Sequence, residues 1–264
     1  MSAAGELEAD RALLREAIGA AGALALRDFR ADRRHWYKGP GQVVTETDLA
    51  VDRLLHEIVI GARPDDGWLS EERADDRSRL ERLRVWIVDP IDGTRAFVDG
   101  VPEFSISVAL AVAGRAVLGM VLNPATGELF EAQSGTGARL DGQPLQASVQ
   151  RAAEGARLLS SRGELRKRAW SRLMPEAEFT AIGSLAYKLA LVAAGRFDGL
   201  VSLRASHDWD LAAALLLIEE AGGRISEAHG AAIRLNKPDP RHEGLAAAGT
   251  ASLHAALVAR LAAF

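Results

Sequence analysis

The chain has 264 residues, a hydrophobic share of 48%, a charged share of 26% and a formal net charge of −4. That is enough for one large domain or two closely packed ones, with no bulk attraction to nucleic acid or an anionic membrane. Cysteine is absent, which excludes disulfides, thiolate zinc sites, iron–sulfur ligation and a cysteine nucleophile, so any metal must be held by oxygen or histidine.

No apolar stretch reaches the roughly twenty residues of a membrane span, and Met1-Ser2-Ala3-Ala4-Gly5-Glu6 lacks the basic-then-apolar order of a signal peptide. The expected compartment is the cytoplasm. Leu7, Leu14, Ile18, Ala21, Ala25 and Phe29 recur at helical spacing, predicting an opening amphipathic helix. Trp36 to Gln42, with Gly39-Pro40-Gly41 inside it, reads as a loop. Thr47 or Asp48 then caps a helix carried by Leu49, Val51, Leu54, Leu55, Ile58 and Val59. Capping is the plainer reading of Asp48. After the Pro64-Asp65-Asp66-Gly67 turn, Trp68-Leu69 read as a short strand that carries Glu71 inward beside Glu72. The charged run from Asp75 to Arg84 reads as an exposed loop or helix without function.

Val85 to Val88 form a buried strand that delivers Asp89 and Asp92 into a turn, with Pro90 unable to extend a ladder and Gly93 giving backbone freedom. Two carboxylates converging on one spot repel unless a proton or cation lies between them, and hard oxygen ligands suit Mg²⁺. Read alone, the segment serves equally well as an Asp-Gly turn. Thr94 starts a short helix through Val98, whose free N–H groups can receive an anion.

Ser105 to Leu110 and Ala116 to Leu122 read as a hairpin, continued as a meander by Gly127 to Ala132 and Ala138 to Leu140. A soft boundary near Arg151 separates segment 1–150 from segment 151–264, where short strands alternate with helices. Strands are expected at Ala156–Ser160, Glu178–Ile182 and Phe197–Ser202, with a basic helical stretch from Glu164 to Leu173. Gly183-Ser184 opens a further helix, and Ser206-His207-Asp208-Trp209-Asp210 leads into another from Leu211 to Ala221. A strand, Leu245–Ala248, and a helix, Ser252–Leu261, close the chain.

The run from Trp86 to Thr94, with Ser70-Glu71-Glu72 before it and Trp209-Asp210 and Glu220-Ala221-Gly222-Gly223 after it, resembles the inositol monophosphatase superfamily of Mg²⁺-dependent, lithium-sensitive phosphatases. The likeness also takes in Val44 to Asp48 and Gly183-Ser184, and covers nearly the whole chain. It implies an α+β fold, a layered αβαβα sandwich with an antiparallel sheet in the N-terminal half and mixed α/β structure in the C-terminal half. It implies two or three Mg²⁺ ions held by Glu71, Asp89, Asp92, Asp210 and the main-chain carbonyl of Ile91, with Asp89 bridging two of them. Thr94 and Asp48 would then orient and deprotonate the attacking water, with Glu71 counted beside them in the catalytic set. The N–H groups of Gly93 and Thr94 would hold phosphate oxygens. By position, Ser184, Arg204 and His207 are expected to contact the substrate; Lys38 could meet the phosphate and Glu72 stand behind the ligands.

The expected partner is a small phosphorylated molecule, with homodimerisation common in such proteins. Leu69-Ser70-Glu71-Glu72, the length and Leu203 to Asp210 look most similar to bacterial 3'(2'),5'-bisphosphate nucleotidases. Ile91 and Arg95-Ala96-Phe97 depart from that pattern, so inositol 1-phosphate and histidinol phosphate compete as substrates. The alternative of another class is a catalytically idle relative that binds phosphate ligands or RNA, or serves as a scaffold.

Overall fold

Helices and sheets alternate in five layers. The structure is a computed structural model that describes residues 3–31, 34–39, 42–167 and 170–263. In the first half lie α1 (Ala3–Asp28), β1 (His35–Gly39), β2 (Gln42–Thr45), α2 (Glu46–Ala62), β3 (Gly67–Ser70), β4 (Arg84–Asp92), α3 (Thr94–Val98), β5 (Ser105–Val112), β6 (Arg115–Asn123), β7 (Glu128–Gln133), β8 (Ala138–Leu140) and β9 (Gln143–Pro144). The second half holds β10 (Arg157–Ser160), α4 (Arg162–Lys167), α5 (Trp170–Leu173), β11 (Glu178–Ala181), α6 (Leu185–Ala193), β12 (Gly199–His207), α7 (Asp208–Glu220), β13 (Arg224–Glu227), β14 (Arg241–Ala248) and α8 (Ala251–Ala262).

Seven strands form the first sheet in sequence order from β3 to β9, antiparallel except where β3 runs parallel to β4. Side chains alternate across a strand, so Trp86 and Val88 of β4 face one way while Val85 and Ile87 face the other. The first pair packs with Val108, Leu110, Leu118 and Met120 against Leu14 and Ile18 of α1 and Val51 and Leu55 of α2. The second pair joins Ala109, Val121 and Phe130 in a core with Leu189 and Val192 of α6 and Leu211, Leu215 and Ile218 of α7. Gly119 lets β6 approach that layer, since a Cβ there would lie 2.9 Å from Ala213 Cα.

The second sheet runs β11-β10-β12-β14-β13, parallel where β10 meets its neighbours and antiparallel elsewhere. Leu200, Leu245 and Ala247 back the α6/α7 layer, while Leu158, Val201 and Ala246 pack against Leu253, Leu257 and Leu261 of α8. The αβαβα sandwich is therefore present, and its middle layer, α6 and α7, comes from the second half and packs against the sheets of both halves. Among the described residues no helix is long and apolar enough to cross a membrane.

Several local expectations change. Trp36 to Gln42 is not simply a loop: Trp36 pairs with Val44 and Tyr37 with Val43 in an antiparallel hairpin, although both aromatics stay exposed. Thr45, rather than Thr47 or Asp48, caps α2, and Asp48 closes a capping box from the third helical position. The stretch Glu164 to Leu173 contains two short helices, with residues 168 and 169 outside the described set. Strand β13, directly after Gly222-Gly223, was not among the expected elements, and β12 extends five residues past Ser202, to His207.

The charged run also has a buried member. Arg79 is fully buried, donating to Asp75 at 3.0 and 2.7 Å, to Asn236 Oδ1 at 2.6 Å and to the Lys237 carbonyl at 3.1 Å. Asn236 N–H in turn donates to Asp208 Oδ2 at 2.6 Å, on the first residue of α7. The loop after β3 is thus tied to the start of the helix that carries Asp210. Arg79→Met leaves these acceptors unpaired and is expected to lower unfolding free energy by about 2 kcal/mol or more, read by urea denaturation.

Candidate metal centre

An extra residue in β4 aims the two central carboxylates. In a regular strand Asp89 and Asp92, three apart, would face opposite sides. Here Asp89 pairs with Ser107 and Asp92 with Ser105, so three steps on β4 match two on β5. The bulge falls at Pro90-Ile91, where the missing N–H of proline costs no ladder bond, and it turns both carboxylates toward one cleft. Asp210 arrives from the first turn of α7, with Oδ2 accepting the His207 N–H at 2.6 Å. Ligand oxygens of Asp89, Asp92 and Asp210 all fall within 4.8 Å of one another.

Each carboxylate is also held from behind. Asp92 Oδ2 accepts from Ser184 Oγ and Ala186 N–H, both at 2.6 Å, at the N-terminus of α6. Asp89 Oδ1 accepts the Ile91 N–H at 3.1 Å, while its Oδ2 is buried with no hydrogen-bond partner. Burial and the charges of Glu71, Asp92 and Asp210 push Asp89 well above the usual carboxylate range. Asp92 is pushed up to about 7 by burial and Asp210, against the bonds from Ser184 and Ala186. A buried orphan oxygen amid repelling carboxylates is a donor set that fits a hard divalent cation, and the all-oxygen chemistry fits Mg²⁺.

Glu71 follows β3 and joins Ile91, Gly93, Thr94, His207 and Asp210 around a cavity of about 450 Å³. It stands outside the tight trio but close enough for its charge to act on Asp89. Its strand end is fixed by Ser70 Oγ donating to Asp52 at 2.6 Å and Arg73 Nε donating to the same carboxylate at 2.5 Å.

Asp48 is buried and accepts from the Thr45 N–H at 2.9 Å and Thr45 Oγ1 at 2.5 Å, leaving Oδ1 3.1 Å from Thr94 Oγ1. Thr94 Oγ1 is also 3.0 Å from the Ile91 carbonyl. Burial, aided by the Glu72 charge and opposed by the Thr45 bonds, pushes Asp48 up to about 6. Gly93 precedes α3 with φ 89°, and a Cβ there would lie 2.9 Å from both the Glu103 carbonyl and Ser184 N. Its backbone therefore passes where a side chain cannot.

The expected substrate contacts separate. Ser184 caps α6 by accepting the Tyr187 N–H at 2.9 Å and directs its own proton at Asp92. Arg204 is exposed on the cavity wall. His207 stacks on Trp209 with ring centroids 4.5 Å apart, and the neighbouring Asp210 carboxylate raises its pKa. The Lys38 side chain lies outside what the structure describes.

Sequence reasoning passed over Lys188. It is the one cation inside the apolar run from Leu185 to Ala193, and that interruption was the available signal. It is buried, and burial pulls its pKa down against the opposing pull of Asp92 and Glu164.

The inositol monophosphatase family profile matches residues 6–263. The chain is 37% identical to an inositol-1-monophosphatase of Rhizobium meliloti over 225 residues, 81% of this chain and 84% of that protein. It is 34% identical to the Nus factor SuhB of Pasteurella multocida over 213 residues, 76% of this chain and 78% of the other. Among solved structures, an inositol monophosphatase of Thermotoga maritima superposes with a TM-score of 0.83 at 28% identity, covering 94% of both chains. With the acidic trio, the bulged strand and the five layers in common view, the chain belongs to the inositol monophosphatase family of phosphatases.

Proposed function

We propose that the protein is a Mg²⁺-dependent phosphomonoesterase that hydrolyses a small phosphorylated alcohol, with inositol 1-phosphate the first substrate. The carrying observation is the convergence of Asp89, Asp92 and Asp210 around a buried carboxylate oxygen that has no protein partner. Those three, with Glu71 and the Ile91 carbonyl, would hold the cations. Magnesium bound there supplies positive charge against the transferring phosphoryl group and makes a coordinated water easier to deprotonate.

The chain's own residues do the rest. Thr94 Oγ1, between Asp48 Oδ1 and the Ile91 carbonyl, can pass its proton to Asp48 while accepting one from the attacking water. Asp48 is the proton acceptor, held ready by the two Thr45 donors. The Gly93 and Thr94 N–H groups orient phosphate oxygens, and no covalent enzyme intermediate is needed.

Inositol 1-phosphate displaces the nucleotide bisphosphate favoured from sequence because relatives at 37%, 36% and 34% identity are named inositol-1-monophosphatase. An idle relative has no need to keep Asp48, Glu71, Asp89, Asp92, Thr94 and Asp210 together. Initial rates of phosphate release are to be measured with inositol 1-phosphate, 3'-phosphoadenosine 5'-phosphate and histidinol phosphate, in Mg²⁺ and in EDTA. Release from inositol 1-phosphate that requires Mg²⁺ is expected; no Mg²⁺-dependent release from any of the three would sink the reading.

A further inference from the structure

Asp210 is held differently from the other two carboxylates of the trio. Asp89 is buried within β4, and Asp92 takes two donors from the start of α6. The Asp210 side chain is 21% exposed, and its hydrogen bond comes from His207, in its own helix turn. Where Asp210 lies is therefore set by where the first turn of α7 lies.

That turn is fastened two residues earlier, at Asp208. The Asp208 N–H donates to the Pro240 carbonyl at 2.9 Å. Its Oδ2 accepts the Asn236 N–H at 2.6 Å, and its Oδ1 is 2.7 Å from His242 Nε2. His242 lies on β14 opposite Ser206 of β12, so its ring reaches the point where β12 gives way to α7. On its other side His242 Nδ1 faces Glu227 Oε1 of β13 at 3.1 Å. The side chains of His242 and Asp208 have no exposure at all.

Apolar residues of similar volume could fill such a site with no loss of stability. What the buried pair adds is direction, because a hydrogen bond fixes the Asp208 carboxylate along a line as packing alone does not. Through Asn236 the same carboxylate is joined to Arg79 and the loop after β3. Glu71 and Asp210, from opposite halves of the chain, are thus referred to one fixed point.

We infer that His242 is a positioning residue for the cation site: through Asp208 it fixes the first turn of α7 and keeps Asp210 in register with Asp89 and Asp92. It lines neither the substrate cavity nor the acidic trio. The inference rests on the metal-dependent phosphatase reading and adds to it a residue outside the cleft.

Calorimetric titration of the full chain with Mg²⁺, beside its melting temperature and kcat, tests this. His242→Gln has one amide where two carboxylates must be met. It is expected to raise the Kd for Mg²⁺ by about tenfold, the lower end of the cost of losing a partner behind a metal ligand, while kcat at saturating Mg²⁺ stays close to that of the parent. Asp208→Asn should raise the Kd as well, and the double variant should bind no more weakly than Asp208→Asn, because His242 acts through that residue. Leu257→Ala, in the core beneath α8, controls for lost stability: it should lower the melting temperature and leave the Kd unchanged. If His242→Gln does not fold, Glu227→Ala, at the partly exposed partner, is read in its place and should raise the Kd in the same direction. A variant that melts lower yet binds Mg²⁺ as tightly as the parent makes His242 structural only and overturns the inference, as does a double variant whose effects add. If the parent itself binds no Mg²⁺, the metal-dependent reading falls and takes the inference with it; tight binding by the parent and every variant removes the inference alone.

Discussion

Asp92→Asn is expected to lower kcat/KM for phosphate release by at least about a thousandfold, equivalent to ~4 kcal/mol of lost transition-state stabilisation, without lowering the melting temperature of the metal-free protein. The reasoning turns on which oxygen does what. Oδ2 of Asp92 accepts two 2.6 Å hydrogen bonds from the start of α6, and an amide oxygen can accept both. The fold therefore keeps its anchor. What disappears is the negative charge that the cations need, together with its repulsion of Asp210, which helps push Asp92 up to about 7. A merely structural Asp92 would give the reverse pattern, with activity kept and stability lost. Phosphate release measured beside circular dichroism melting separates the two, and full activity in the variant would remove Asp92 from the chemistry.

The ligand strand was legible in the sequence because its signals are local. β-Branched and aromatic residues announce β4, Pro90 announces a break in the ladder, and Gly93 announces a close passage. The bulge that turns Asp89 and Asp92 to the same side was not legible, since it exists only in the register with Ser105 and Ser107 of another strand. Asp48 shows a second limit. A capping box and a proton acceptor require the same residue type at the same helix position, and the sequence alone favoured the cap; the structure gives Oδ2 to the cap and turns Oδ1 to Thr94.

Arg79 and Lys188 were opaque for opposite reasons. Arg79 lies in a charged run whose average is exposed, and its burial depends on Asn236 and Lys237, more than 150 residues away. Lys188 lies in an apolar run that reads as core, although its flank meets a cavity assembled with three other segments. Periodicity reports which face of an element is buried, not what it meets there. For the same reason the five-layer order came from the family resemblance and not from the pattern of elements.

The repelling carboxylates also fix how stability should respond to pH and Mg²⁺. Asp48 and Asp92 are raised from about 3.8 to about 6 and about 7, and Asp89 is also raised, by burial and its acidic neighbours. Between those limits the folded chain retains protons that the unfolded chain has released. Bound protons are then more numerous in the folded state, so these groups make unfolding easier as pH rises from about 4 to about 7. Their contribution is fully present below the unfolded values and is lost as pH passes the folded ones.

Magnesium binds the deprotonated carboxylates, so its effect must grow over the same interval. At a concentration one hundred times its Kd it should raise the melting temperature by roughly 5–10 °C at pH 8 and by clearly less at pH 5. Asp92→Asn should lose most of the shift at pH 8. Differential scanning calorimetry with and without Mg²⁺ at the two pH values makes the comparison. Because each shift is taken at one pH, the titration of surface carboxylates cancels and the difference reports on the cluster. A shift of equal size at pH 5 and pH 8, or none at either, would mean that the ion does not bind among Asp89, Asp92 and Asp210.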